Sequence, residues 1–176
     1  MDKVRVRAAL MDDAQAIAQV HVASWRSTYT GILPDRLLAS LSVDDREQMW
    51  MQVLSGENGA THVFVVESDE DGIVGFAAFG PELGGDKNHH AELSAIYLLE
   101  EYQRKGAGRA LFQAGVSALL EEGYGSMLLW VLPQNVACGF YEVMGGVHTR
   151  TRTISIGGQS YEEIGYEWTD LHRACR

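Results

Sequence analysis

Seven consecutive residues, Tyr102-Gln103-Arg104-Lys105-Gly106-Ala107-Gly108, combine features that hold phosphate. Two glycines stand one residue apart beside a cationic flank, between an apolar run and a helical pattern. Residues 91–99 read as a strand and residues 109–122 as a helix. The first turn of a helix leaves about four backbone N–H groups without partners, and the helix dipole makes that end positive. Anions settle there, and glycine lets them approach the main chain with no Cβ in the way. The competing reading is an ordinary glycine loop with basic neighbours, because short glycine patterns recur by chance.

Two common phosphate ligands do not fit this loop. A P-loop needs a lysine and a hydroxyl directly after its last glycine, whereas Gly108 is followed by Arg109-Ala110. A dinucleotide fingerprint wants three glycines in the first strand–helix turn, and this loop lies past the middle of the chain without the third. What remains is a phosphate-bearing ligand bound without a metal. His89 and His90 are adjacent in sequence, but no Cys/His cluster completes a site around them, so no metal is expected.

The elements around the loop follow from patterning. Val4, Val6 and Ala8 alternate with Arg5 and Arg7, which predicts a first strand. A helix begins at Asp12-Asp13 and runs to about residue 27, with Ile17, Val20 and Ser24 or Trp25 at helical spacing. A turn over 28–34 leads to helices over 35–41 and 43–54, broken at Ser42. Strands over 61–67 and 73–79 flank an acidic turn, and a polar loop over 81–90 precedes the strand at 92–99. The helix over 109–122 carries an apolar stripe of Leu111, Phe112, Val116, Leu119 and Leu120. Residues 127–132 form a fully apolar strand suited to the middle of a sheet. A short helix over 135–144 stops at Gly145-Gly146, and strands over 147–156 and 160–168 pair around Gly157-Gly158. The order β, helices, βββ, α, β, α, ββ predicts an α+β fold. Its mixed, mostly antiparallel sheet has one parallel pair, where the helix over 109–122 crosses over.

A length of 176 residues suits one domain spanning 1–176. Lys+Arg number 14 against 24 Asp+Glu, a formal charge of −10. An acidic body of this kind repels nucleic acid and anionic membrane and favours cationic small molecules near its clefts. Cys138 and Cys175 make no disulfide framework and read as free thiols of a reducing compartment. With no apolar signal core and no run of about 18 apolar residues, the expected location is cytoplasmic.

A second constellation follows the apolar strand: Asn135-Val136-Ala137-Cys138-Gly139-Phe140-Tyr141-Glu142-Val143-Met144-Gly145. With the glycine loop it resembles the GNAT N-acetyltransferase superfamily. Gln103, Gly106 and Gly108 match that family's Gln/Arg-x-x-Gly-x-Gly/Ala motif. The second segment resembles its Asn-x-x-Ala-x-x-Phe-Tyr-x-x-x-Gly pattern at Asn135, Ala137 or Cys138, Phe140, Tyr141 and Gly145. The stretch from His21 to Pro34 is similar to one bacterial branch, and the element order agrees along nearly the whole chain. Two positions depart: Arg104 stands where many members have glycine, and Glu100 where many have proline.

The resemblance implies a sheet of about seven strands with a splayed parallel pair and helices on both faces. It also implies acetyl-CoA as cosubstrate. The diphosphate would rest on backbone N–H groups of Gln103, Arg104, Lys105, Gly106, Ala107, Gly108 and Arg109. The pantetheine arm would lie along Ile96, Tyr97 and Leu98, where a splayed strand leaves peptide groups unpaired. An N–H there would steady the thioester oxyanion. The implied reaction is attack of a primary amine on the thioester. An amine with a pKa near ~10.4 must lose a proton first.

Tyr141 is the candidate acid for the leaving thiolate; the alternative is a core tyrosine. Asn135 would bond the pantetheine, or it is a plain helix cap. Glu92 is the candidate base acting through a water, or a solvated strand-end charge. Strand alternation would put it on one face with Ser94, Ile96 and Leu98. Trp25 and Tyr29, four apart, border the acceptor site in the resembling branch and share a helix face if the helix reaches them; core packing is the alternative. His21 reads as a packed histidine. Two other readings stay open: a non-catalytic acetyl-CoA sensor, and a transferase of a different acyl group. The acceptor is an amine of a small molecule or a protein N-terminus. The final hairpin and an open sheet edge make a homodimer plausible.

Overall fold

The computed structural model describes residues 3–57, 61–85 and 90–174. The chain begins with β1 (Val4–Ala8), a 3-10 turn and α1 (Ala14–Tyr29), then α2 (Asp35–Ala39) and α3 (Val43–Ser55). β2 (His62–Ser68), β3 (Gly72–Pro81) and β4 (Ala91–Leu98) follow. After α4 (Ala107–Glu121) come β5 (Met127–Val131), α5 (Cys138–Val143) and the hairpin of β6 (Val147–Ile156) and β7 (Gln159–Trp168). The short helix α6 (Leu171–Ala174) has no counterpart in the sequence expectation.

Local chemistry sets the breaks. Arg7 on β1 grips the Asp13 carboxylate at 2.7 and 3.1 Å, and Asp13 accepts the Leu10 N–H at 2.7 Å. That arrangement pins the start of α1 to the sheet and holds the Asp13 carboxyl below its usual range. Ser42 separates α2 from α3 by accepting the Asp45 N–H on its hydroxyl, an N-cap at 3.2 Å.

Among the described residues, seven strands form one sheet in the order β1-β2-β3-β4-β5-β7-β6, antiparallel except for β4–β5. On one face, Leu111, Phe112, Val116 and Leu119 of α4 pack on Phe79, Leu93, Met127 and Leu129. Leu120, placed in that stripe by its spacing, is only partly buried. Gly115 lets α4 sit close to the sheet: a Cβ there would lie 2.0 Å from the Phe79 ring. On the other face, Ile17 and Ala18 of α1 and Trp50 of α3 cover Val65, Phe76 and Ala78. A smaller cluster of Tyr29, Leu33, Leu38 and Leu132 carries the last turn of α1 across to the end of β5. Among the described residues, no helix is long and apolar enough to cross a membrane.

Two details of β4 position the site. Its parallel pairing with β5 extends only over Ala91↔Met127 and Glu92↔Leu128, although β4 stays paired with β3 as far as Leu98↔Gly75. A bulge falls between Leu93 and Ala95, where Ser94 has no partner position and its hydroxyl bonds Ala78 O at 3.2 Å. The bulge overturns simple alternation, because the extra residue shifts every side chain before it to the opposite face. Glu92 therefore shares its face with Ala95 and Tyr97, and not with Ile96 and Leu98.

Candidate active site

The loop between β4 and α4 turns on two left-handed residues, Arg104 with φ 58 and Gly106 with φ 91. Gly106 is the N-cap of α4 and offers no side-chain acceptor. The first helical bond runs from Ala110 N–H to Gly106 O at 3.1 Å. The N–H groups of Ala107, Gly108 and Arg109 thus face out of the helix start, and the alternating backbone forms an anion-binding concavity. The glycine common at position 104 in the resembling family has a physical basis here, since a left-handed non-glycine residue costs about 1–2 kcal/mol. Arg104 and Arg109 are exposed beside this helix start on a chain of net charge −10. Gln103 reaches back to donate to Leu98 O at 3.0 Å, fastening the loop to the strand end. Lys105 lies over the Tyr102 ring at 5.6 Å.

Beyond Glu92 and Leu128 the two parallel strands separate. The opening continues into a cleft of about 480 Å³. Its walls include Ile96, Tyr97 and Leu98 of β4, Gln103, Arg104, Gly106, Gly108 and Arg109 of the loop, and Asn135 and Tyr141. Gly108 faces it between Leu98 and Phe140, each 3.5 Å from where a Cβ would stand. The cleft therefore joins the anion-binding helix start to an unpaired strand edge, the two parts needed by a diphosphate carrying a peptide-like arm. Lys105 and the buried Ala107 do not line it.

Tyr141 is 4% exposed, and among the described residues its hydroxyl has no hydrogen-bond partner. Burial raises its pKa, as does the nearby Tyr29 phenol, so the side chain stays a neutral proton donor at physiological pH. Tyr97, also in the cleft wall, is raised by burial and by Tyr29. Asn135 is buried, accepts the Ala137 N–H at 2.9 Å and donates to the Tyr29 hydroxyl at 3.3 Å. The capping turn this makes explains why α5 starts at Cys138 and not at residue 135.

The remaining predicted residues lie outside the cleft walls. Trp25 and Tyr29 share a helix face, with ring centroids 4.9 Å apart, and pack in the cluster around Leu33, Leu38 and Leu132. His21 is packed: its Nδ1 accepts the Trp50 indole N–H at 3.1 Å, its ring stacks on Tyr97, and burial lowers its pKa to about 4. Glu92 sits at the closed end of the seam. Its carboxyl is raised above the usual range by burial first, then by Glu82, while Arg152 pulls it down. Cys138 is a half-buried free thiol. Cys175 and His89 fall outside the described residues, and among those described no group of His, Cys, Asp or Glu is arranged to hold a metal. Patterning missed Thr28, Val136, Ala137, Phe140, Val143 and Met144 in the cleft walls. The α5 residues could have been found from the family pattern; nothing local marks Thr28.

A mixed sheet whose parallel pair opens beside a glycine-started helix is the arrangement that the resemblance to the GNAT superfamily implied. The chain belongs to the acetyltransferase (GNAT) family, whose model matches residues 19–145. It is similar to the uncharacterized N-acetyltransferase YuaI of Bacillus subtilis, 41% identical over 169 residues, covering 96% of this chain and 94% of the relative. It is also similar to the spermidine N(1)-acetyltransferase of Thermoplasma acidophilum, 25% identical over 141 residues, 78% of this chain and 84% of that one. Its fold matches the structure of yncA from Salmonella typhimurium with its cofactor acetyl-CoA, at a TM-score of 0.72 and 21% identity, over 96% of this chain and 94% of that one. The chain is an N-acetyltransferase of the acetyl-CoA-dependent class.

Proposed function

We propose that this chain moves an acetyl group from acetyl-CoA to a primary amine of a small molecule or a protein N-terminus. One observation carries the reading: a single cleft is bounded by the anion-binding loop, by the unpaired edge at Ile96, Tyr97 and Leu98, and by the neutral phenol of Tyr141. The cosubstrate brings an activated thioester. The amides from Gln103 to Arg109 hold its phosphates, and the open strand edge orients the arm by backbone pairing. The amine nitrogen forms a bond to the carbonyl carbon, the C–S bond breaks, and Tyr141 gives its proton to the departing sulfur. Glu92, raised in pKa and on the opposite face, takes the amine proton through a water. Asn135, with its oxygen committed to Ala137, offers its amide N–H groups to the arm and to Tyr29.

A small cationic acceptor fits the net charge of −10, and a spermidine acetyltransferase among the relatives supports an amine of that kind. Trp25 and Tyr29 border this acceptor from α1. A homodimer built on the outer edge of β6 and a cytoplasmic location belong to the same reading.

Isothermal titration with acetyl-CoA tests the binding half; no heat at ~100 μM acetyl-CoA overturns it. Free-thiol release over a panel of amines tests the chemistry. Binding with no thiol release from any amine would leave a sensor in place of an enzyme.

A further inference from the structure

Among the described residues, Thr28 is the one residue of α1 that lines the cleft. It follows Ser24 by four positions and His21 by seven, so the three share a stripe of the helix. That stripe faces β4: His21 stacks on Tyr97 with ring centroids 5.6 Å apart, and Ser24 is buried. Thr28 ends the stripe in the cleft, whose walls also include Tyr97 and Tyr141.

The turn that carries Thr28 is fixed. Tyr29 is tied to Asn135 across the opening, and its carbonyl accepts the N–H groups of Ile32 and Leu33, both at 2.9 Å. Arg26 binds the Leu38 and Leu41 carbonyls at 3.1 and 3.2 Å, fastening α1 to α2. A threonine in a helix is confined to two χ1 rotamers. Among the described residues no group hydrogen-bonds the Thr28 hydroxyl, unlike the neighbouring Ser27 hydroxyl, which bonds Ser24 O at 3.1 Å. Thr28 is therefore a short side chain of few rotamers in the cleft wall, carried on a fixed turn and with no hydrogen bond of its own among the described residues.

We infer that Thr28 forms the wall that limits the acyl group to two carbons. The inference rests on the acyl-CoA reading of the cleft: an arm paired along Ile96, Tyr97 and Leu98 brings its acyl end beside Thr28. Removing the γ-carbon and hydroxyl makes room for one further methylene, and a methylene in an apolar pocket is worth about 10–200-fold in discrimination.

The test is isothermal titration of acetyl-CoA and propionyl-CoA into wild type, Thr28→Ala, Thr28→Ser and Thr28→Val. Thr28→Ala should tighten propionyl-CoA relative to acetyl-CoA by about tenfold. Thr28→Ser, which loses the methyl alone, should move the ratio the same way and covers the case in which the alanine variant does not fold. Thr28→Val replaces the hydroxyl by a methyl of similar size and, if size alone sets the wall, should leave the ratio within about twofold. An unchanged ratio in the alanine and serine variants, with acetyl-CoA still bound, overturns the wall. A valine variant that shifts as far as alanine overturns it too, because size would not then be the cause. Failure of wild type to bind either thioester is a separate result, which removes the acyl-CoA reading and this inference with it.

Discussion

The two halves of the β4–β5 seam are built from the same two apolar strands and do opposite things. At Ala91 and Glu92 the strands pair, over fully buried Met127 and Leu128. Among the described residues β4 pairs with no strand on its β5 side past that point, and the cleft there is lined by Tyr97 of β4 itself with Asn135, Tyr141 and Thr28. Apolar burial closes the first half. The second half is spanned from one face by α5 and its capping turn and from the other by the last turn of α1, and the Tyr29–Asn135 bond joins the two. Strand pairing is thus withheld where polar groups are gathered. A parallel pair in the middle of a sheet is ordinarily a stability element; here one half of it holds the fold and the other half is available for chemistry.

If that division is right, substitutions in the two halves should be separable. The largest effect is expected from Met127→Ala in the closed half. Met127 is 0% exposed, so its loss should cost about 2–5 kcal/mol in urea unfolding, while acetyl-CoA affinity of the folded protein stays within about twofold. Equal damage to both readouts would show that the halves are not independent. Tyr141→Phe in the open half should do the reverse, lowering kcat by about 10²–10³-fold at unchanged melting temperature. Turnover equal to wild type would remove Tyr141 as the acid.

Glu92→Gln, at the boundary, should lower turnover by about 10²-fold and abolish the acid limb of the pH profile. The wild-type rate should rise with pH through a carboxyl ionisation above the usual range, since burial raises Glu92. The stability sign runs the other way. A carboxyl raised on folding adds stability below its unfolded pKa and loses it as pH rises through the folded value. Glu92→Gln should therefore melt above wild type at pH 7, with the gap closing toward pH 4. A profile that keeps its acid limb in the variant would place the base elsewhere. The smallest effect should come from Arg104→Gly, which relieves the left-handed backbone at φ 58 and should stabilise by at most about 1 kcal/mol. Loss of stability there would mean the arginine side chain matters more than its backbone.

Legibility in the sequence followed the range of the interaction. The phosphate loop was readable because glycine spacing and helix onset are local, and the observed helix starts within two residues of its expected position. The hairpins and the Ser42 break were readable for the same reason. The opening of the seam came through resemblance alone, since nothing in 91–99 or 127–132 marks where pairing stops. The bulge at Ser94 carries no glycine or proline signal, so alternation put Glu92 on the wrong face. The Tyr29–Asn135 bond joins residues 106 positions apart, and Thr28 enters the cleft only because that bond and the Arg26 contacts carry α1 over the gap. Spacing drew attention to Trp25 and Tyr29 on that turn; the residue that reaches the cleft lies between them.

An open seam has a consequence for heat resistance. Whatever fills the gap binds the native chain and not the unfolded one, so the melting point should climb with the logarithm of ligand concentration, by ~2.7 kcal/mol of added stability at a hundredfold excess over Kd. In a cell rich in acyl donor the chain would be sturdy, and under starvation it would soften. Its turnover by proteases would then follow metabolic state with no dedicated sensor.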